Sequence, residues 1–157
     1  MRSVARASVV AAVLAAGIVA APAFEAAEIE GRWKAVRVSG WMITLKELTL
    51  DISACGERYC GRVVNANNQC EGTMLRVVPR PDRAFDKGFL FEGEIDLPAQ
   101  PSPFRARVAY RPAPDPQGPR MTITGDEPNS SFVRRTFPFQ ASFSRIGPAG
   151  CTPPKTS

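Results

Sequence analysis

Histidine is absent from this chain of 157 residues, and its absence removes several kinds of chemistry. Without an imidazole, neither a Ser-His-Asp nor a Cys-His arrangement can form, and no serine lies in a nucleophile-elbow or Ser-x-x-Lys context. A structural zinc site would need two closely spaced cysteine pairs, and the sequence has one. Glycine-rich phosphate loops are missing as well. We therefore expect no catalytic residues, no metal and no other cofactor.

Carboxylates that could act as an acid and base pair are few, the candidates being Glu92 with Glu94 and Asp126 with Glu127. Glycosidases use such pairs. Here the first pair alternates onto a predicted outer strand face beside arginines, and the second lies in a predicted turn. We interpret both as solvated surface and expect that the protein is not an enzyme.

Long apolar runs are scarce too, and the longest lies near the start, at Val9 to Ala20. Arg2 and Arg6 precede it and small residues up to Ala23 follow it, which is the pattern of a secretory signal peptide. The run is shorter than the roughly 20 apolar residues that span a bilayer. We therefore expect cleavage after Ala23 rather than a retained membrane anchor.

Cleavage there would leave residues 24–157, a length that suits a single domain. The part removed carries two arginines and no acidic residue, so the net charge of +5 falls to a smaller positive value. That balance does not predict a nucleic-acid partner. We expect a periplasmic or secreted bacterial protein without stable membrane insertion.

The four cysteines all lie after the predicted cleavage site, and an exported protein meets an oxidising compartment. Four cysteines allow three pairings. Cys55 with Cys60 is favoured, because the two flank four residues and can meet across a hairpin. Cys70 with Cys151 then follows by elimination and would hold the C-terminal tail. The Cys-x4-Cys spacing differs from the Cys-x-x-Cys of thioredoxin-type redox motifs.

Alternation of apolar and polar residues with a period of two dominates residues 24–157 and predicts an all-β fold. Proline-rich segments between the strands are typical of turns and loops. Eight strands suit a small closed antiparallel barrel, which an irregular tail from Gly147 follows. The predicted strands are Gly31 to Arg37, Trp41 to Ser53, Tyr59 to Ala66, Thr73 to Val78, Phe89 to Leu97, Phe104 to Arg111, Met121 to Gly125 and Phe132 to Ile146.

The second of these strands changes its apolar phase near Lys46 and Glu47. A β-bulge or bend there would explain the change. The alternative, a helix, fits Trp41, Leu45, Leu48 and Ile52 but not the threonines and the hairpin that follow.

Acidic and basic residues form separate rows on the predicted outer faces. The acidic row follows Phe89 to Leu97 and the basic row follows Phe104 to Arg111, so the two rows can pair across neighbouring strands. The alternative is a basic patch for an anionic partner, formed by Arg105, Arg107, Arg111, Arg134 and Arg135.

Seven aromatic residues share inward phases on the predicted strands. They form either a filled core or the walls of a ligand cavity. The seven are Phe89, Phe91, Phe104, Tyr110, Phe137, Phe139 and Phe143.

Residues 52–64, Ile-Ser-Ala-Cys-Gly-Glu-Arg-Tyr-Cys-Gly-Arg-Val-Val, resemble the hallmark of a family of small exported bacterial proteins known as domain of unknown function 2147. Gly31-Arg32-Trp33 is similar to the opening of such domains, and Arg134 to Arg145 is similar to their closing strand. The resemblance implies a lipocalin-like barrel in which Trp33 stacks against Arg145. Cys70 and Cys151 are additions to the family pattern.

Two kinds of function fit these expectations. The first is a periplasmic non-catalytic binding protein whose barrel interior or open mouth accepts a small hydrophobic or amphipathic ligand. The second is a protein-interaction module that acts on an envelope protein through its surface, such as a lysozyme or protease inhibitor or an envelope-stress factor. The free volume inside the barrel discriminates between the two.

Overall fold

A computed structural model describes residues 26–40, 47–83, 85, 88–98, 100–112, 118–126 and 139–151. These residues form an all-β fold with two short 3-10 turns, Ala26–Ile29 and Pro81–Arg83. The eight strands are β1 (Gly31–Gly40), β2 (Thr49–Cys55), β3 (Arg58–Val64), β4 (Cys70–Pro79), β5 (Phe89–Ile95), β6 (Phe104–Arg111), β7 (Arg120–Asp126) and β8 (Phe139–Gly147).

The strands form one closed antiparallel barrel in which each strand pairs with its neighbours in the chain. Pairing of β1 with β8 closes the sheet, from Arg32 opposite Gly147 to Gly40 opposite Phe139. Closure leaves no open sheet edge along this ladder, which removes the usual template for edge-to-edge association. The predicted eight-stranded antiparallel barrel is confirmed.

Alternation along each strand directs one row of side chains into the barrel. In β6, Phe104, Ala106, Val108 and Tyr110 are buried, whereas the arginines between them are exposed. The same pattern in β7 buries Met121, Ile123 and Gly125. A period of two therefore builds the core, because successive strand side chains point to opposite faces.

The junction between β1 and β2 differs from the predicted strand over Trp41 to Ser53. Glu47 lies in a turn and β2 begins at Thr49, so the predicted strand is interrupted where its change of apolar phase indicated a bulge or bend. The ladder between β1 and β2 ends where the Ala35 amide donates to the Leu48 carbonyl, at 2.9 Å. The turn at Glu47 therefore agrees with the predicted bend. Residues 41–46, and residues 132–138 of the predicted last strand, lie outside the described residues.

A 3-10 turn, Ala26–Ile29, lies at the barrel end where β1 begins, which we call the N-terminal end. Ile29 is fully buried, and its carbonyl accepts a hydrogen bond of 2.9 Å from Trp33 Nε1. The hairpin between β2 and β3 lies at the same end, since antiparallel strands alternate in direction. The connection between β3 and β4 lies at the opposite end.

In the described ranges, no helix has the length and apolar character needed to cross a bilayer.

Candidate functional site

The barrel interior is the first candidate site, because the aromatic residues were predicted to line it or fill it. Trp33, Phe139 and Phe143 have 0% exposure, and all three belong to the core cluster. Phe91, Phe104 and Tyr110 are also buried in this cluster, and Phe89 packs against it half-buried. Phe137 lies outside the described residues.

Aromatic rings contact one another across the interior. The Trp33 and Tyr110 rings meet edge to face with centroids 5.9 Å apart, and Phe89 stacks on Tyr110 at 6.0 Å. Tyr59 meets Phe91 edge to face at 5.7 Å. Burial, together with the nearby Glu28 carboxylate, raises the pKa of Tyr110 to about 12, and Arg145 opposes the rise. The distances between the centroids of these rings are those of packed aromatic pairs.

Side chains that line a cavity expose surface to it, because at least a water-sized sphere fits against them. The inward residues at the middle of the barrel expose none. Those with 0% exposure include Leu50, Ile52, Leu75, Ile95, Ala106, Val108, Met121, Ile123 and Ala141. At the level of these residues the interior is a packed core, as expected when eight strands enclose only enough room for side chains.

Gly31, Trp33 and Arg145 meet at the N-terminal end. Arg145 is the register partner of Trp33 across β1 and β8. The Arg145 guanidinium lies against Gly31, where an added Cβ would approach Nε to 2.6 Å and the Gly147 carbonyl oxygen to 3.0 Å. Gly31 also has a φ of 149°. The glycine therefore provides space for the arginine and for the start of the tail.

Both predicted disulfides are present. Cys55 and Cys60, the hairpin disulfide, join β2 to β3. Cys70 and Cys151, the tail disulfide, join the start of β4 to the C-terminal tail. Between Gly147 and Cys151 the chain has no regular secondary structure, and we call Pro148 to Cys151 the strap.

Asp51 fixes the strap to the outer face of the barrel. It is only 3% exposed, and Arg32 holds its two carboxylate oxygens at 2.6 and 2.8 Å. The amides of Gly150 and Cys151 donate to Oδ2 at 2.8 and 2.6 Å. Burial raises the pKa of Asp51, but the hydrogen bonds from Arg32 and the two amides outweigh burial, and the pKa lies below its ordinary value. The carboxylate is thus held ionised beneath the strap.

The sequence did not indicate this ion pair or its role. Arg32 and Asp51 are 19 residues apart and occupy outward positions of β1 and β2, where any polar residue fits the alternation. The register that places them opposite each other was not predicted. An acidic residue between Leu50 and Ile52 was the available signal, and it did not point to a partner.

A groove on the outside of β3, β4 and β5 has a volume of about 240 Å³. We call it the outer groove. Gly93 lies where β4 and β5 approach so closely that a Cβ would collide with the backbone of Arg76 and Val77. Val78, 37% exposed, supplies apolar surface among charged residues. The groove is lined by Arg58, Arg76, Val77, Val78, Glu92, Gly93 and Glu94.

Arginines surround Glu92 at one side of the outer groove. Arg80 Nη1 and Arg83 Nη1 lie 2.7 and 3.1 Å from its carboxylate oxygens, and Arg107 Nε lies 3.6 Å away. Glu94 is in register with Arg105, as Glu92 is with Arg107. The acidic and basic rows therefore pair across β5 and β6. Arg111 lies 5.5 Å from the Phe85 ring centroid.

Two members of the predicted basic patch, Arg134 and Arg135, lie outside the described residues.

A second groove, of about 250 Å³, lies at the end opposite the N-terminal end, and we call it the mouth groove. Met74 is buried there by a register irregularity in the pairing of β3 with β4. Its other apolar walls come from the end of β3 and from the connection after β5. The lining residues are Val63, Gly72, Thr73, Met74, Asp96, Leu97 and Pro98.

Comparison with known proteins gives no relative: neither a family model, nor a curated protein, nor a solved structure matches this chain.

Proposed function

We propose that this is an exported, non-catalytic binding protein that acts on a protein partner through its outer surface. The observation that carries the proposal is the packed interior, where Trp33, Phe139 and Phe143 expose no surface at all. A barrel filled in this way leaves the outside as the place for recognition. Inhibitors and envelope-stress factors are the functional classes that such a surface suits.

The outer groove is the face that we assign to the partner. It combines exposed Val78 with Arg58 and Arg76 on one side and Glu92 and Glu94 on the other. Interfaces between proteins join apolar contact with charges of both signs, and arginine is enriched in them. Complementary charges on the partner would set the orientation of binding.

Export rests on the signal-like start of the chain and on the two disulfides, which suit an oxidising compartment. The resemblance of residues 52–64 to domain of unknown function 2147 supports a periplasmic location and a lipocalin-like relationship for this barrel. The periplasmic location and the lipocalin-like relationship are parts of the proposal.

A second candidate function is binding of a small apolar or amphipathic ligand at the mouth. The mouth groove favours it, because Val63, Met74 and Leu97 give this groove a mainly apolar wall. The ligand would lie at the end of the barrel rather than inside it.

Site-specific photo-crosslinking distinguishes the two candidates. A photoreactive residue at Val78, in the outer groove, is expected to capture one protein of the cell envelope, and unlabelled wild-type protein should compete. The same residue at Val36 is the matched control, because Val36 is exposed on β1 away from this groove.

A titration with a fluorescent apolar probe completes the test. We expect no saturable binding to the wild-type protein. Saturable binding that Met74→Asp abolishes, with no specific crosslink at Val78, would replace the surface proposal with the ligand-binding one.

A further inference from the structure

We propose that the Cys55–Cys60 disulfide is a thiol–disulfide exchange site that oxidises one dithiol of a partner protein per molecule, a stoichiometric reaction that agrees with a non-catalytic binding function. The tail disulfide has no part in this exchange. Solvent access, surrounding charge and the independence of the fold from the hairpin disulfide support the assignment.

Solvent reaches the hairpin disulfide. Cys55 and Cys60 are both half-buried, and they flank the exposed turn residues Gly56 and Glu57. In the tail disulfide, Cys70 is only 4% exposed, while Cys151 is half-buried like the two hairpin cysteines. An attacking thiolate must approach a disulfide sulfur directly, and both cysteines of the hairpin disulfide are open to this approach, whereas only one cysteine of the tail disulfide is.

Arginines surround Cys60 on the outer face of the sheet. Arg76 is its register partner on β4, and Arg58 and Arg62 occupy the outward positions two residues before and after it on β3. Cationic surroundings stabilise a thiolate and lower the pKa of the cysteine. Arg58 is also the register partner of Cys55, but Arg62 and Arg76 lie beside Cys60 alone, so Cys60 is the better leaving group of the two sulfurs.

Few carboxylates offset these arginines. Among the described residues, none lies within ion-pairing distance of Arg58 or Arg62, whereas Arg76 pairs with Asp96 at 2.6 Å. Glu57 lies in the turn itself, and Glu94 faces Arg76 from β5. Asp51 faces Arg62 from β2, but Arg32 already binds both of its carboxylate oxygens. Two arginines thus remain to stabilise a negative sulfur at position 60.

The barrel holds the hairpin in place without the covalent bond. Six consecutive residue pairs join β2 to β3, from Leu50 opposite Val63 to Cys55 opposite Arg58. The Cα atoms of Cys55 and Cys60 are 5.8 Å apart across this ladder. A reduced hairpin would keep its two thiols close together, so the protein can exist folded in both redox states.

The exchange proceeds in two steps, each of which forms one sulfur–sulfur bond and breaks another. A thiolate of the partner attacks Cys55 Sγ, the Cys55–Cys60 bond breaks, and its electron pair leaves on Cys60 Sγ. The second thiolate of the partner then attacks the partner sulfur of the mixed disulfide and releases the Cys55 thiolate. The partner loses two electrons and forms a disulfide, and this protein gains them as two thiols, which take up protons according to pH.

Site-resolved reduction tests the proposal on the mature protein with both disulfides formed. The protein is incubated with dithiothreitol or with a reduced two-cysteine peptide, quenched with acid, alkylated and digested for mass spectrometry. We expect Cys55–Cys60 to be reduced at least about tenfold faster than Cys70–Cys151, because access and thiolate stability both favour it. Far-UV circular dichroism should stay unchanged.

Charge variants separate exchange chemistry from mere accessibility. In the Arg58→Gln/Arg62→Gln variant, the Cys55–Cys60 disulfide should be reduced several-fold more slowly, and the pH midpoint of Cys60 alkylation should rise. The Arg58→Lys/Arg62→Lys variant keeps both charges and should restore the wild-type rate and midpoint. The matched control is Arg37→Gln/Arg105→Gln, which removes the same charge from exposed positions on other strands.

Either of two results would overturn the proposal. In the first, the two disulfides are reduced together and only as the circular dichroism signal is lost. In the second, the hairpin disulfide is reduced first, but its reduction rate and the pH midpoint of Cys60 alkylation are the same in the wild type, the two Arg58/Arg62 variants and the control.

Discussion

The hairpin disulfide and the tail disulfide join very different parts of the same barrel. The first connects residues 5 apart in sequence, and the second connects residues 81 apart. In the chain-entropy description, loops of these sizes correspond to about 2 and about 4.5 kcal/mol of stabilisation. The tail disulfide also cooperates with Asp51, whereas the hairpin disulfide joins strands that already pair. The comparison indicates that one bond maintains the fold and the other can be opened within it.

Removing each disulfide separately should give the largest effect. We expect Cys70→Ala/Cys151→Ala to lower the free energy of unfolding by about 4 kcal/mol, because the unfolded chain regains a long loop and the strap is released. Cys55→Ala/Cys60→Ala should cost about 2 kcal/mol. Urea unfolding followed by circular dichroism measures both values. A larger loss from the hairpin pair would reverse the comparison.

The Asp51 carboxylate should rank next. Asp51→Asn leaves Arg32 without its counter-ion at a mostly buried position, which we expect to cost about 3 kcal/mol. Asp96→Asn is the matched control, because Asp96 also forms an ion pair of 2.6 Å but its side chain is 45% exposed. The control should cost less than about 1 kcal/mol. Equal losses in urea unfolding would mean that burial beneath the strap does not matter.

Acid should remove the contribution of Asp51. Its pKa is lower in the folded protein than in the unfolded chain, where the ordinary value is 3.8. The stabilisation is therefore complete above that value and is lost as the pH falls through the folded pKa. Urea unfolding at pH 7, 5 and 3 should show the difference between wild type and Asp51→Asn shrinking only at the lowest pH. A difference that is constant with pH would contradict this assignment.

The smallest effect should come from the turn of the hairpin. Gly56 has a φ of 72° and no atom within 4 Å of an added Cβ, so Gly56→Ala introduces backbone strain without a collision. We expect a loss of about 1 kcal/mol. Gly56→Asn should lose less, since asparagine tolerates this conformation better. Thermal unfolding of the two variants measures the order, and a greater loss from asparagine would contradict it.

Local alternation made much of this fold predictable. In β6 the sequence identified the inward-facing row from Phe104 to Tyr110, since successive side chains of a strand point to opposite faces of the sheet. The pairing of Cys55 with Cys60 was predictable for the same reason, because it depends on one short hairpin. The change of apolar phase located the interruption near Glu47 but did not tell a bulge from a bend, because both change the phase in the same way.

Features that depend on distant parts of the chain were not predictable in the same way. An inward aromatic such as Phe143 has the same sequence pattern in a filled core as in a cavity wall, and only the packing of all eight strands separates the two. The contact of Asp51 with Gly150 and Cys151 joins positions about 100 residues apart. No local pattern contains that information.

Hydrogen exchange after selective reduction tests most directly the claim that the tail disulfide maintains the fold and the hairpin disulfide does not. The Cys55–Cys60 bond is reduced and alkylated while Cys70–Cys151 stays intact, and amide exchange is followed by mass spectrometry. We expect faster exchange only near the β2–β3 turn, with the amides of Gly150 and Cys151 still protected. Loss of protection throughout the barrel, including the strap, would contradict it.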